Sequence, residues 1–526
     1  MSSLLRTAAA SASLFRARAC HRGHANHTAL RHWRAVSSQA AKLEEVDPSM
    51  FRLLQQEEQR QKTYLNLIAS ENFMSAAVLE ALGSVTQSKF IFYSSEGYPG
   101  ARYHSCCANI DEIERLCQAR ALDLFGLRPE EWGVNVQSMS GSNANLYVYS
   151  ALLNCHDRIM GLDLAHGGHL SHGYRKGRKN ISMMSKYFET LPYHLDPETG
   201  IIDYDKLETM AELYRPKIIV AGTSAYSRLI DYARIRRITE KIGAYLMSDT
   251  SHISGLVATG LIPSPFEHSD IVTSSTAKTL RGPRGGLIFY RRGASRTAGS
   301  SRSNQVGTRL IGDMIDASVF PGHQSSPHNN TTAALSVALH QARSPEFREY
   351  QQRVLVNAKA LAAGLKSLGY KLVSGDTENH LVLLDLQPQG IDGARVERVL
   401  ELVGVASNKN VVFGDTSAKE PSGLRIGSPA MTSRGLGSDD FMEIAKFVHR
   451  AVTSTIELSI LAKKHAEAAG EKEPASLNCF LKFAEEEKNL AMISGLKKEI
   501  LAWVGSFNGY SYCCMEPQIM VGVVVG

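Results

Sequence analysis

The chain has 526 residues, 43% hydrophobic, 21% charged and 7% aromatic. This is an ordinary globular composition, which excludes a disordered, collagenous or disulfide-scaffold protein and leaves room for roughly two to four domains. Formal net charge is +6, but residues 1–43 hold six arginines, Lys42 and no acid, so the body from residue 44 onward is neutral and its charge points to no nucleic-acid partner.

Residues 1–40 are Arg-, Ala- and Ser-rich, acid-free and lack the unbroken apolar run of a secretory signal. That composition predicts a mitochondrial transit peptide and a matrix location, with a disordered basic arm as the plainer alternative. A helical arm is expected over 41–90 and a large domain over 91–342. Within the latter, short apolar runs alternate with amphipathic stretches such as Ile230–Ile242. The predicted strands are Trp132–Gln137, Asp157–Asp163, Lys217–Ala221, Tyr245–Asp249, Asp270–Ser274 and Gly286–Tyr290. This alternation predicts an α/β fold with a mostly parallel sheet covered on both faces. A smaller α+β domain is expected over 343–510, with helices at Phe347–Leu368, Ser438–Lys464 and Cys479–Trp503, a strand at Leu381–Leu386 and a solvated loop at His465–Ser476. Residues 511–526 form an apolar tail, and no apolar run approaches the ~18 residues of a membrane span. Eight cysteines without CxxC spacing are expected to be free thiols, and no metal site is predicted.

The chemistry gathers at predicted strand ends. Ser140-Gly141-Ser142 follows one strand and opens an apolar helix, where small residues let backbone N–H groups close around a phosphate. Asp249 ends another strand, placed either to hold a protonated ring nitrogen or to cap a helix. Lys278 leaves a third among hydroxyls, as a Schiff-base lysine does, because burial favours the neutral amine. Taken singly, each has a structural explanation. Jointly they are what pyridoxal 5'-phosphate requires: an anchor for the phosphate, an acid partner for the pyridine nitrogen and an amine for the aldehyde. Arg425, between small residues in Gly423–Pro429, adds a fork for a carboxylate.

From Val46 to Trp503 the sequence resembles serine hydroxymethyltransferase. The matching stretches are Leu67-Ile-Ala-Ser-Glu-Asn72, Ser95-Glu-Gly-Tyr-Pro-Gly100, Leu164-Ala-His-Gly-Gly-His-Leu170, Ala221-Gly-Thr-Ser-Ala-Tyr226, Lys278-Thr-Leu-Arg-Gly-Pro-Arg284 and Asn408-Lys-Asn410. The resemblance implies a fold-type I, aminotransferase-like architecture. It also implies a homodimer or homotetramer with shared active sites, and reversible transfer of the serine hydroxymethyl carbon to tetrahydrofolate, giving glycine. Carried over position by position, Lys278 would bear the cofactor, Asp249 would face its ring nitrogen, His169 would stack on the ring and His252 would lie beside its phenolic oxygen. Ser140, Gly141 and Ser142 would hold the phosphate, with Ser224 near the ring and Ser325 and Ser326 reaching the phosphate of a neighbouring subunit. Arg425 and Ser70 would clamp the substrate carboxylate, with Tyr103 and His104 in the substrate pocket. Glu96 would be the acid/base group, and Leu164, Gly168, Leu170 and Asn410 would line the folate site.

Several positions depart from the family pattern. Ala277 replaces a histidine before the lysine, His104 a tyrosine, Ser325-Ser326 a glycine pair, and Thr250-Ser251 stands where the family has x-Ala. The stretch Ser88–Gly97 is also four residues longer than the family's. These changes lie around the electron sink rather than in it. They leave open a folate-independent aldolase or transaldolase of β-hydroxy amino acids, and a catalytically weak paralogue acting as a regulatory subunit, besides the hydroxymethyltransferase itself.

Overall fold

The structure is a computed structural model that describes residues 41–88, 95–293, 310–415, 417 and 419–507. The expected transit segment 1–40, the tail 511–526, residues 89–94 of the lengthened stretch, Cys20, Cys513 and Cys514 lie outside the described residues. The chain divides into one unit ending at Gln61 and another beginning at Lys62. The first contains the helix Leu43–Val46 and the start of Pro48–Thr63, neither of which buries a side chain.

The second unit is organised around a seven-stranded sheet: β1 (Trp132–Ser138), β2 (Arg158–Leu162), β3 (Glu189–Tyr193), β4 (Ile218–Gly222), β5 (Tyr245–Asp249), β6 (Ile271–Ser275) and β7 (Gly286–Arg291). The spatial order is β1-β7-β6-β5-β4-β2-β3. Every pairing is parallel except the two made by β7, which runs against both neighbours. The sheet is therefore mostly parallel, as the alternating pattern predicts. β7 is the antiparallel exception, and no hydrophobic pattern could have supplied its direction. Consecutive residues feed opposite faces: Ile159, Val220 and Met247 join one core cluster, while Met160, Ile219 and Leu246 join the other. Each such side chain contributes roughly 1.5–3 kcal/mol by leaving water.

A four-stranded antiparallel sheet follows, built from β8 (Lys371–Leu372), β9 (Leu381–Asp385), β10 (Asn408–Asn410) and β11 (Gly423–Gly427), in the order β8-β9-β11-β10. Its core is shared with the long helices Pro345–Ser367 and Ser438–Ala468. Leu65–Asn66 pairs in parallel with Val405–Ala406, tying the segment after the first unit to this region. The single helix expected over Cys479–Trp503 is two, Leu477–Ala484 and Glu487–Gly505. The break is held by Asn489, whose side-chain amide donates to the Phe483 carbonyl at 2.7 Å. The expected loop after Lys464 starts later, since its helix continues through Ala468. Cys106, Cys107, Cys117, Cys155 and Cys479 are free thiols. Among the described residues, no helix is long and apolar enough to cross a membrane.

Candidate active site

Because β1, β2, β5 and β6 all run the same way, their carboxyl ends open on one edge of the sheet, where α/β proteins place their sites. Asp249 ends β5 there and is buried. Its Oδ2 accepts from Asn145 Nδ2 at 2.8 Å and pairs with His172 Nε2 at 3.0 Å, while Oδ1 accepts from the Ser251 N–H at 3.0 Å. Burial alone would protonate the carboxyl, but the His172 hydrogen bond and the surrounding imidazole charge outweigh it and hold it well below the usual carboxylate range. Asn145 is fixed in turn by Thr273 Oγ1, which donates to its Oδ1 at 2.7 Å. Its amide also donates to Ser171 Oγ, and Ser171 Oγ meets His169 Nδ1 at 2.7 Å. One hydrogen-bonded web thus orients both Asp249 and His169. Burial, followed by the His172 charge, pushes His169 down to about 4, so its ring is neutral near pH 7.

Lys278 follows β6 and faces the same edge. Burial pushes its amine down to about 8, with Asp249 opposing and Arg425 reinforcing the shift. Its carbonyl accepts from Asn72 Nδ2 at 3.0 Å, and Asn72 is itself held by Ser433 Oγ at 2.7 Å. The Ser140-Gly141-Ser142 turn opens the helix Gly141–Leu152, with the Ser140 hydroxyl accepting from the Asn143 N–H at 3.3 Å. A Cβ at Gly141 would stand 3.1 Å from Ser251 Oγ and 3.3 Å from Ser275 Cβ, so that turn is a small-residue cradle at a helix amino terminus. Ser251, one of the departures, uses its hydroxyl to accept from the Ser275 N–H at 2.9 Å. A buried anionic carboxylate, a part-neutral lysine and a cradle for an anion are the donor set that pyridoxal phosphate needs, and they fit it.

Arg425 reaches this edge from β11. Its Nη1 donates to the Ser224 carbonyl at 2.8 Å and to Ser224 Oγ at 3.2 Å, and its Nη2 donates to Asn408 Oδ1 at 2.8 Å. Its buried Nε has no partner, and burial pushes the guanidinium down to about 10. Ser224 Oγ lies 3.4 Å from His252 Nε2. Ser70 follows Ala69, which packs against Gly427 of the same strand. Leu164 and Leu170 sit in two short 3₁₀ turns joined by Gly167-Gly168. Gly167 takes φ +98°, and a Cβ on Gly168 would overlap the Leu162 carbonyl. Asn410, on β10, turns its amide to the Val411 carbonyl at 2.8 Å.

The structure does not bring Glu96 to this set, and Glu96 is not among the charges acting on Lys278. Its carboxylate accepts from the Ser325 hydroxyl. Tyr103 is 78% exposed and stacks edge-on with His104. The hairpin that carries these residues is bolted down by Arg102, which donates to Asp111, to Glu114 and to the Ser95 and Gly97 carbonyls. Gln137 Nε2 joins Gly97 and Glu114 as well. Ser326 follows Ser325, and Gln324 of the same segment donates to the Gln137 carbonyl at 2.9 Å.

Sequence reading missed His172, Asn145, Asn72 and His380. The first three lay within or beside quoted motifs, and a second histidine three residues after His169 was an available signal. His380 had none, being a lone histidine before an apolar strand. Asp163, His166 and His194 also converge closely enough to hold a metal. There the Leu195 N–H donates to His166 Nδ1 at 3.1 Å, which leaves the proton of the neutral ring on Nε2 and neither nitrogen free as a ligand.

A family model described as serine hydroxymethyltransferase matches residues 43–448. A Neurospora crassa protein named as a mitochondrial serine hydroxymethyltransferase is 57% identical over 478 residues, covering 89% of this chain and 86% of that one. The mitochondrial serine hydroxymethyltransferase of Saccharomyces cerevisiae is 54% identical, over 88% of this chain and 92% of its own. A cytosolic one from Neurospora crassa is 53% identical, over 88% and 94%.

Proposed function

The chain belongs to the serine hydroxymethyltransferase family, and from that premise we propose how its own residues divide the work. It is a one-carbon transferase that interconverts serine and glycine, passing the hydroxymethyl carbon to tetrahydrofolate. The aldolase and weak-paralogue readings are not favoured, since the family match runs across the body and the electron-sink residues are all present. Family membership implies pyridoxal phosphate as cofactor and tetrahydrofolate as cosubstrate. The fold is read as fold-type I.

When bound, pyridoxal phosphate supplies an electron-withdrawing ring that accepts the pair released from a bond broken at the amino acid's α-carbon. Lys278 is the residue that would carry it, because an amine pushed down to about 8 offers a far larger neutral fraction at physiological pH than an ordinary lysine does. Asp249, ionised and aimed by His172 and Asn145, holds a proton at the ring nitrogen. His169 covers the ring, and the cradle at Ser140-Gly141-Ser142 takes the phosphate. Arg425, with Ser70 beside it, holds the substrate carboxylate and so fixes the angle at which the scissile bond meets the ring. Leu164, Gly168, Leu170 and Asn410 line the folate site. We assign Glu96, Tyr103, His104, Ser325 and Ser326 to the site of a neighbouring protomer in a homodimer or homotetramer, with Glu96 as acid/base group. The Ser325 hydroxyl bond to Glu96 beside this hairpin, with Glu96 absent from the charges acting on Lys278, supports that reading. The acid-free basic segment 1–43 supports import into the mitochondrial matrix.

The observation that carries the proposal is the pair of Asp249 and Lys278 at the ends of adjacent strands, one held ionised and the other with its amine pushed down to about 8. Borohydride reduction of the yellow protein followed by peptide mapping tests it. A pyridoxyl group on Lys278 is expected, and a label on another lysine, or none, overturns the assignment. Glycine formation from serine should depend on added tetrahydrofolate in the same preparation.

A further inference from the structure

His380 immediately precedes β9 and is completely buried. Its Nε2 lies 3.2 Å from His252 Nδ1, with the two rings 5.4 Å apart and inclined by 32°. No carboxylate takes part in this contact. The charges that act on the two imidazoles are the cations Lys278 and Arg425, together with the other histidines. Burial first, and those cations second, push His380 down to about 3 and His252 well below its ordinary value, so both rings are neutral near pH 7.

Neutrality makes the direction of each hydrogen bond deducible. Arg425 can only donate, and its Nη1 donates to Ser224 Oγ at 3.2 Å. The Ser224 hydroxyl hydrogen is then free to point at His252 Nε2, 3.4 Å away. Ser224 Oγ has a second lone pair and can also accept from that nitrogen, so the direction is set at the other end. The Ala69 backbone carbonyl faces His380 Nδ1, without reaching hydrogen-bond geometry, and favours a proton there. His380 Nε2 then accepts, and the single ring proton of His252 sits on Nδ1. Ala69 is pinned there: a Cβ on Gly427 would stand 2.7 Å from Ala69 Cα and 3.1 Å from the His380 carbonyl oxygen. The chain of hydrogen bonds therefore runs from the carboxylate-binding arginine through Ser224 and His252 to His380.

We propose that His380 is a positioning residue, which fixes the His252 ring in its Nδ1–H tautomer so that an Nε2 lone pair faces Ser224 and the cofactor side of the site. This rests on the placement of His252 beside the cofactor argued above.

The test uses His380→Leu, His380→Gln and His252→Asn in the full-length holoenzyme, with the absorption of the bound cofactor titrated against pH. His380→Leu should move the titration midpoint by about half a unit or more. It should also lower serine kcat about tenfold while KM stays within about twofold. His380→Gln, whose amide can still accept from His252, should restore most of both. His252→Asn should move the midpoint at least as far, with no further movement when combined with His380→Leu. If His252→Asn shifts the midpoint and His380→Leu does not, or if Leu and Gln behave alike, the role of His380 is refuted. If neither His252→Asn nor His380→Leu shifts it, the placement of His252 beside the cofactor fails as well.

Discussion

Arg425 offers the sharpest test of the site, because the structure separates what its charge does from what its shape does. The side chain is 9% exposed, and among the described residues no carboxylate pairs with it. A fall from 12.5 to about 10 on burial corresponds to roughly 3 kcal/mol of unrelieved desolvation. An incoming amino-acid carboxylate relieves that strain while accepting two parallel N–H bonds. Arg425→Lys keeps the charge and loses the fork. Taking one charge-assisted hydrogen bond as about 2 kcal/mol, glycine affinity should fall about 30-fold. Arg425→Met removes the charge too, and should weaken glycine by a further tenfold or so. Because Arg425 also helps hold the Lys278 amine down, Met but not Lys should raise the pH at which Lys278 titrates. The assay is a glycine titration followed by the absorbance of the bound cofactor, with cofactor content measured in parallel. Glycine affinity within threefold of wild type in the lysine variant would falsify the fork, and retained affinity in the methionine variant would remove Arg425 from carboxylate binding altogether.

Three further outcomes are expected. Gly168→Ala drives a Cβ into the Leu162 carbonyl and must shift the turn that carries His169, so it should cost more than ~3 kcal/mol by urea denaturation and weaken folate binding; an unchanged midpoint would contradict the packing. His252 and His380 have folded-state values below their ordinary 6.5, so the unfolded chain takes up more protons below about pH 6.5 and stability falls as pH falls. At pH 5.5 the pair should account for a loss of about 3 kcal/mol relative to pH 7.5, and a flat urea midpoint over that range would show that one of the rings is charged. Glu114→Ala removes one of the two carboxylates that Arg102 pairs with, leaving Asp111, and should cost about 1.5–3 kcal/mol. It should lower serine turnover while cofactor content is kept, whereas equal loss of cofactor would place the hairpin against the cofactor of its own chain.

Most parallel strands were legible because each is an apolar run closed by a polar residue, as Asp249 closes Tyr245–Asp249. Glu189–Tyr193 was not, since its sequence ETLPY opens on a glutamate and contains a proline. Strand direction was not legible: Gly286–Arg291 is as apolar as its neighbours, and only the short turn after Lys278 makes it run back. The break at Glu485-Glu486 escaped notice because both glutamates are good helix formers, and the residue that stabilises it, Asn489, lies beyond it. Site residues at the ends of apolar runs could be found, as Asp249 and Lys278 were, while His169 came from the resemblance. Partners assembled across the chain could not, since nothing local connects Asn145 with Asp249 or His252 with His380. The assignment of Glu96 to the same chemistry came from resemblance alone.

The charges at the sheet edge explain why so many histidines can share one site. Asp249 is its buried anion with the His172 charge beside it, Lys278 and Arg425 are its further cations, and the amino end of the helix Gly141–Leu152 adds a partial positive charge. The expected ligands are a phosphate and a carboxylate, so the protein already presents the complementary excess before they arrive. A further imidazolium would oversupply positive charge and compete with Lys278 for Asp249. Burial and cation repulsion keep His169, His252 and His380 neutral, which leaves them as hydrogen-bonding and covering groups instead of charges. Read this way, Ala277 removes one more imidazole from a place where its charge was not wanted, and Ser251 adds a neutral hydroxyl near the cradle. Neither change alters the charge balance between Asp249, Lys278 and Arg425. The departures on the Glu96 hairpin are different in kind, because His104 brings a titratable group to a surface shared with Glu96 and Ser325. Their effect should therefore appear in how serine's hydroxyl and folate are handled, and leave the α-carbon chemistry as it is.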